Sequence, residues 1–122
     1  MEVIYSDVIP ELHRHDIDLA LVVGDVDSKP NESAYLLCWV DYTLIASPGL
    51  MASLPMPATP SDLTQLPCIL NGARNWRLNN SESSQCVDIS GHFSSLNMPA
   101  CIDACISGLG VFMAPSYSVD GF

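Results

Sequence analysis

Apolar and polar positions divide the chain into short runs, and each run predicts an element. Val3-Ile4-Tyr5 is a short β-prone run. Ser6 or Asp7 can cap a helix over Val8 to His15, where Pro10 is tolerated because first-turn N–H groups have no intrahelical partner. The next run, Ile17-Asp18-Leu19-Ala20-Leu21-Val22-Val23, is mostly apolar on both alternating sets of side chains and stops at Gly24. That is the pattern of an interior parallel strand covered on both faces. Strand, helix and strand in this order make a compact βαβ unit with a right-handed crossover.

A polar loop, Asp25 to Ser33, leads to a β-rich stretch from Tyr35 to Ser47, bent or divided near Asp41. Ser47-Pro48 opens a short helix. Thr59-Pro60-Ser61-Asp62 opens another, with Thr59 as cap, Pro60 at the first helical position and Asp62 in place of the Glu or Gln of a capping box. Between them Leu54-Pro55-Met56-Pro57 is extended, since each proline biases the residue before it away from helix. Short strands follow at Cys68 to Leu70, Trp76 to Leu78 and Val87 to Ser90. Asn97 caps a helix from Met98 to about Ser107, Gly108 ends it in a left-handed conformation, and Val111-Phe112-Met113-Ala114 is the strand after it. Ala100, Cys101, Ala104 and Cys105 give that helix a small-residue face suited to close packing on a sheet. No internal repeat, low-complexity tract or heptad seam interrupts this order.

Composition narrows the function classes. The 122 residues are 48% hydrophobic and 15% charged, which excludes a disordered chain. Four Lys and Arg face fourteen Asp and Glu, for a formal charge of -10. Arg14, Lys29, Arg74 and Arg77 form no cationic cluster along the sequence, so these residues are not expected to hold nucleic acid themselves. The apolar runs fall well short of the roughly 20 residues that cross a bilayer, and no charged leader with a cleavage site precedes them. The expectation is a soluble, cytoplasmic protein with no membrane partner.

Five cysteines, at positions 38, 68, 86, 101 and 105, are an odd count, several beside apolar residues, as expected of reduced thiols in a core. A metal site would need Cys101 and Cys105 to converge with a histidine such as His92, but no Cys-x-x-Cys pair anchors one. His13 and His15 are too close in sequence to share a helix face, and no Gly-x-Ser-x-Gly elbow is present. A cysteine nucleophile would need a basic neighbour that the sequence does not supply. No enzyme, cofactor or metal is expected.

The candidate chemistry lies instead at the start of the Met98 helix. A helix N-terminus carries unpaired N–H groups and about half a positive charge, and so attracts carboxylates; Ser94, Ser95 and Asn97 add side-chain donors. Ordinary capping explains the same residues, with Asn97 satisfying its own helix and the serines lining a loop.

Ile45-Ala46-Ser47-Pro48, Trp76-Arg77-Leu78 and Ser107-Gly108-Leu109-Gly110-Val111 with its trailing Ala114-Pro115 carry a family likeness. Together with Asp18-Leu19-Ala20-Leu21 and Pro67-Cys68, in this order, they make nearly the whole chain resemble the effector-binding domain of LysR-type transcriptional regulators. The resemblance implies an α/β fold of periplasmic-binding-protein type II, here partial. Residues 1–36 would be a βαβ remnant of the first subdomain and residues 37–122 most of the second, without its C-terminal return crossover. It also implies a small-molecule effector in the inter-subdomain cleft, homo-oligomerisation, and DNA contact only through a winged helix-turn-helix domain outside this sequence. A stand-alone solute-binding module, or an inactive remnant without regulatory function, is the alternative.

By the same resemblance, Ser94, Ser95, Leu96, Asn97, Met98 and Ala100 line the effector cleft opposite Val22, Val23 and Gly24. Leu96 stands where members often carry a polar residue, Val22 where some carry arginine, and Pro99 removes one first-turn donor. The cleft is therefore expected to be apolar, suited to a small carboxylate rather than a multiply charged anion.

Overall fold

The computed structural model describes residues 1–6, 11–12, 16–24, 32–55, 57–79 and 82–120. Two compact units, Met1–Asp41 and Tyr42–Phe122, divide the chain.

The second unit carries the regular structure. It runs β1 (Tyr42–Ile45), α1 (Pro48–Ser53), a 3-10 helix (Pro60–Gln65), β2 (Cys68–Leu70), β3 (Asn75–Asn79), β4 (Ser84–Asp88), β5 (Phe93–Ser94), α2 (Met98–Ile106), β6 (Val111–Pro115) and a last 3-10 turn (Ser116–Ser118). Four strands form one sheet in the order β1-β6-β2-β5, while β3 and β4 make a separate hairpin. β2 is parallel to both β5 and β6, with Ile69 opposite Phe93 on one side and Phe112 on the other. β1 closes the edge antiparallel to β6.

Strand alternation explains how this sheet is buried. Successive side chains point to opposite faces, so Cys68 and Leu70 join one apolar cluster with Leu63, Leu66, Trp76, Val87 and Ile89. Ile69 joins the other, with Cys101, Ala104, Cys105, Phe112 and Ala114. The sheet is thus covered by α2 on one face and by the first 3-10 helix and the β3–β4 hairpin on the other. All three β2 residues are buried, as a strand with layers on both sides requires. The small face expected of α2 is the face that packs, since Cys101, Ala104 and Cys105 are its buried residues.

Local signals account for the element ends. Ser47 Oγ accepts the Leu50 N–H at 3.2 Å and starts α1. Asp62 accepts from the N–H groups of Ala58 and Thr59 at 2.9 and 3.0 Å, which holds its carboxyl below the usual range. That helix is 3-10, and it stops at Leu66, which is extended (φ -106, ψ 152) before Pro67. At the end of α2, Gly108 at φ 84 lets its own N–H reach Cys105 O and the Leu109 N–H reach Ala104 O, each at 3.0 Å, a complete Schellman motif.

Several expected elements are corrected. The β-rich stretch from Tyr35 to Ser47 forms a strand only at Tyr42–Ile45, because the ladder to β6 ends at the Tyr42–Pro115 pair and the residues before it have no partner strand among the described residues. The strand expected at Val87 to Ser90 lies instead at Ser84–Asp88, set by pairing from Asn75–Asp88 to Asn79–Ser84. Neither Val3-Ile4-Tyr5 nor Ile17 to Val23 is a strand, so the two strands of the βαβ unit are absent among the described residues. No described strand pairs with either run, and a strand without a ladder leaves most of its N–H and C=O groups to water; Leu19 and Leu21 are 79% and 78% exposed. Most of the helix expected over Val8 to His15, the loop residues 25–31 and Met56 lie outside the described residues.

Candidate functional site

Parallel strands end their carbonyls and side chains at one edge, where α/β proteins hold ligands. Here β2 and β5 finish side by side, with Leu70 opposite Ser94, and the chain turns away through Asn71 and Ser95. A short network ties the two turns. The Ser95 N–H donates to Leu70 O at 3.0 Å and Asn71 Nδ2 donates to Ser95 O at 2.9 Å. Ser95 Oγ accepts the Asn97 N–H at 3.1 Å, and Asn97 Oδ1 accepts the Ala100 N–H at 2.9 Å. Below them the buried Cys101 thiol donates to Ser95 O at 3.3 Å and to Leu70 O at 3.6 Å, and receives Asn71 Nδ2 at 3.8 Å. Burial pushes that thiol up, opposed chiefly by the hydrogen bond it receives from Asn71.

This geometry contains the capping arrangement in full. Asn97 caps α2, Ser95 satisfies the cap residue, and Pro99 has no N–H, so the Met98 N–H is the first-turn donor left without a partner among the described residues. Ser94 is exposed at the end of β5, Leu96 is exposed with its Cδ2 against Gly72, and Met98 and Ala100 are half-buried. These six residues are brought together at one junction. Val22, Val23 and Gly24 belong to the first unit, where Val22 is half-buried, Val23 is exposed and Gly24 adopts φ 108.

Beside the junction lies a cavity of about 160 Å³. Tyr42, Asn71, Asn75, Trp76, Met98 and Phe112 are among its lining residues, so the first residue of α2 and the residue after β2 share it. Its polar groups are all neutral side chains. Burial raises the Tyr42 phenol, with Tyr117 adding to the shift, and Asn75 Nδ2 is engaged by Asp88 Oδ1 at 3.0 Å. Sequence reasoning missed Tyr42, Asn71 and Asn75. Asn71 carried a usable signal, because an Asn-Gly pair directly after an all-apolar parallel strand marks the ligand edge of an α/β sheet. A second hollow, of about 210 Å³, is lined by apolar residues such as Leu44, Leu50, Met51 and Leu66, and offers no polar side chain to orient a ligand.

Cys68, Cys101 and Cys105 are buried as expected of core thiols, whereas Cys38 and Cys86 are exposed. Cys68 is buried and pushed up to about 11, Cys105 is raised by burial and donates to Ile45 O at 3.6 Å, and both changes disfavour a thiolate. His92 is exposed before β5, its N–H donating to Cys68 O at 2.9 Å. Among the described residues no three His, Cys, Asp or Glu side chains gather as a metal site. No helix among them is long and apolar enough to cross a membrane.

The family model for the LysR substrate binding domain matches residues 2–122. The HTH-type transcriptional regulator DmlR of Escherichia coli K12 is 29% identical over 119 residues, 93% of this chain and 38% of that protein. The HTH-type transcriptional activator TtdR of the same strain is 26% identical over 120 residues, 89% of this chain and 39% of that protein. The chain therefore spans less than two-fifths of the length of these curated relatives. Among solved structures, full-length AphB, a virulence activator of Vibrio cholerae and a member of the LTTR family, matches with TM-score 0.63 and 27% identity over 68% of this chain and 29% of that one. CrgA, a LysR-type transcriptional regulator from Neisseria meningitidis, matches in fold with TM-score 0.71 and 24% identity over 89% of this chain and 38% of that one.

Proposed function

Because the chain belongs to the LysR substrate-binding domain family, we propose that it is the effector-sensing and oligomerisation part of a LysR-type transcriptional regulator. In this reading it has no catalytic role, and DNA is contacted by a winged helix-turn-helix domain outside these residues. The effector is a small carboxylate held at the start of α2. The observation that carries the reading is the junction of β2, β5 and α2, where an ordered turn and a cavity meet at the carboxyl edge of the parallel strands. There the positive end of a nine-residue helix, the Met98 N–H and the Ser94 hydroxyl supply the anion-binding elements. The net charge of -10 and the shortage of cations favour a singly charged ligand held by oriented dipoles over a polyanion held by side-chain charge.

Titrating small monocarboxylates into the isotopically labelled chain tests this. Amide shifts confined to Ser95 through Ala100, saturating with added acid, are expected. Unchanged amides there at the highest acid concentration would overturn the assignment.

A further inference from the structure

Asn71 stands between the junction and the cavity, and its amide can face them in only one way. The Ser95 carbonyl, 2.9 Å away, can only accept, so the Asn71 nitrogen must point at it. The second Nδ2 proton goes to Cys101 Sγ at 3.8 Å. Both donors of the amide are thus committed to the β5–α2 turn, and Oδ1, an acceptor, is the polar atom left for the cavity that Asn71 lines. Asn75 repeats the pattern, since its nitrogen donates to Asp88 and its oxygen has no partner among the described residues. The remaining polar lining groups are the Tyr42 phenol and the Trp76 indole N–H. The cavity therefore offers two acceptors, one hydroxyl and one indole N–H donor in an otherwise apolar wall. An anion alone would leave both acceptors unpaired.

From this arrangement we propose that Asn71 determines ligand specificity, its oxygen accepting a hydrogen bond from a hydroxyl on the effector, so that the ligand class is a short hydroxylated monocarboxylate. The inference rests on the carboxylate site proposed above and adds a second point of recognition to it. One hydrogen bond in a partly buried site corresponds to roughly a tenfold change in affinity. A site that hydrogen-bonds a hydroxyl also discriminates against the analogue lacking it, because the acceptor is then desolvated without a partner.

The test compares butyrate with its 2-hydroxy and 3-hydroxy derivatives, by amide-shift titration on the wild-type chain and on the Asn71→Ala and Tyr42→Phe variants. At least one hydroxy acid is expected to bind about tenfold more tightly than butyrate to the wild type. That preference should vanish in Asn71→Ala and persist in Tyr42→Phe. If Asn71→Ala does not fold, the wild-type ratio and Tyr42→Phe decide. Equal binding of all three acids overturns the hydroxyl preference while leaving the carboxylate site standing. A preference lost in Tyr42→Phe assigns the hydroxyl to the phenol and overturns the role of Asn71. Silence with every acid overturns the carboxylate site, and this inference with it.

Discussion

The runs Ile17 to Val23, apolar but for Asp18, and Cys68 to Leu70 end in opposite conditions. In the first unit Leu19 and Leu21 stand mostly in water, and Trp39 is 85% exposed. In the second, Cys68, Ile69 and Leu70 are all buried. Both runs are mostly apolar, and among the described residues they differ sharply in the supply of partners. β2 has β5 and β6 as ladder neighbours, α2 over one face, and a 3-10 helix with a hairpin over the other. No described strand pairs with Ile17 to Val23. An apolar run specifies a strand only where the same chain also furnishes what the strand must bond to and be covered by.

The strongest way to break the comparison is to truncate one apolar side chain in each unit. Phe112 is 1% exposed and packs in the cluster under α2, so Phe112→Ala should cost about 3–5 kcal/mol. Leu19→Ala should change stability by no more than about 0.5 kcal/mol. Urea unfolding followed by fluorescence and circular dichroism measures both. A loss of comparable size from the two variants would mean that the first unit buries its leucines in solution.

A smaller effect is expected at Gly110, where the sheet itself is tested. A Cβ on that residue would lie 2.8 Å from Pro67 O and 3.0 Å from Pro67 C, next to the bond from the Val111 N–H to Pro67 O at 2.9 Å. Those obstacles are backbone and cannot rotate aside. Gly110→Ala should therefore cost about 1–3 kcal/mol and speed exchange of the Val111 amide. Gly49, with nothing within 4 Å of its Cβ position, is the matched control and should tolerate Ala. Equal protection of the Val111 amide in the Gly110→Ala variant and the wild type would show that β2 and β6 are not held so closely.

What could be read in the sequence follows the same division. Features set by local chemistry were legible: the Ser47-Pro48 start, the Asn97 cap and the Gly108 stop lie where the residue types place them, and the apolar runs Cys68 to Leu70 and Val111 to Ala114 fall on strands for which the chain supplies partners. Elements set by pairing were not. The strand within Tyr35 to Ser47 is cut to Tyr42–Ile45 by the length of β6, and β4 is shifted by the register of β3, information that lies in a distant segment. The site divides likewise. Ser95, Asn97 and Met98 were legible because a helix start announces itself, whereas Tyr42 and Asn75 reach the cavity only through the topology of the two sheets.

The smallest expected effect on stability sharpens the comparison most. Leu21 is 78% exposed, so Leu21→Ser removes little buried surface and should leave the unfolding midpoint within the error of measurement. The same side chain belongs to a stretch of exposed apolar residues, with Leu19 and Val23, on a chain that also exposes Leu36, Leu37 and Trp39. Surfaces of that kind associate, because apolar area still in water is available for burial against another molecule. The wild-type chain should therefore sediment as a concentration-dependent mixture, and Leu21→Ser combined with Trp39→Ser should shift it toward monomer without changing the melt. Stability and association would then separate by unit, folding free energy residing in Tyr42–Phe122 and self-association in Met1–Asp41. A wild-type chain that sediments as a single monomer at every concentration would defeat this assignment, since the exposed leucines and tryptophan would then have no consequence that the buried ones lack.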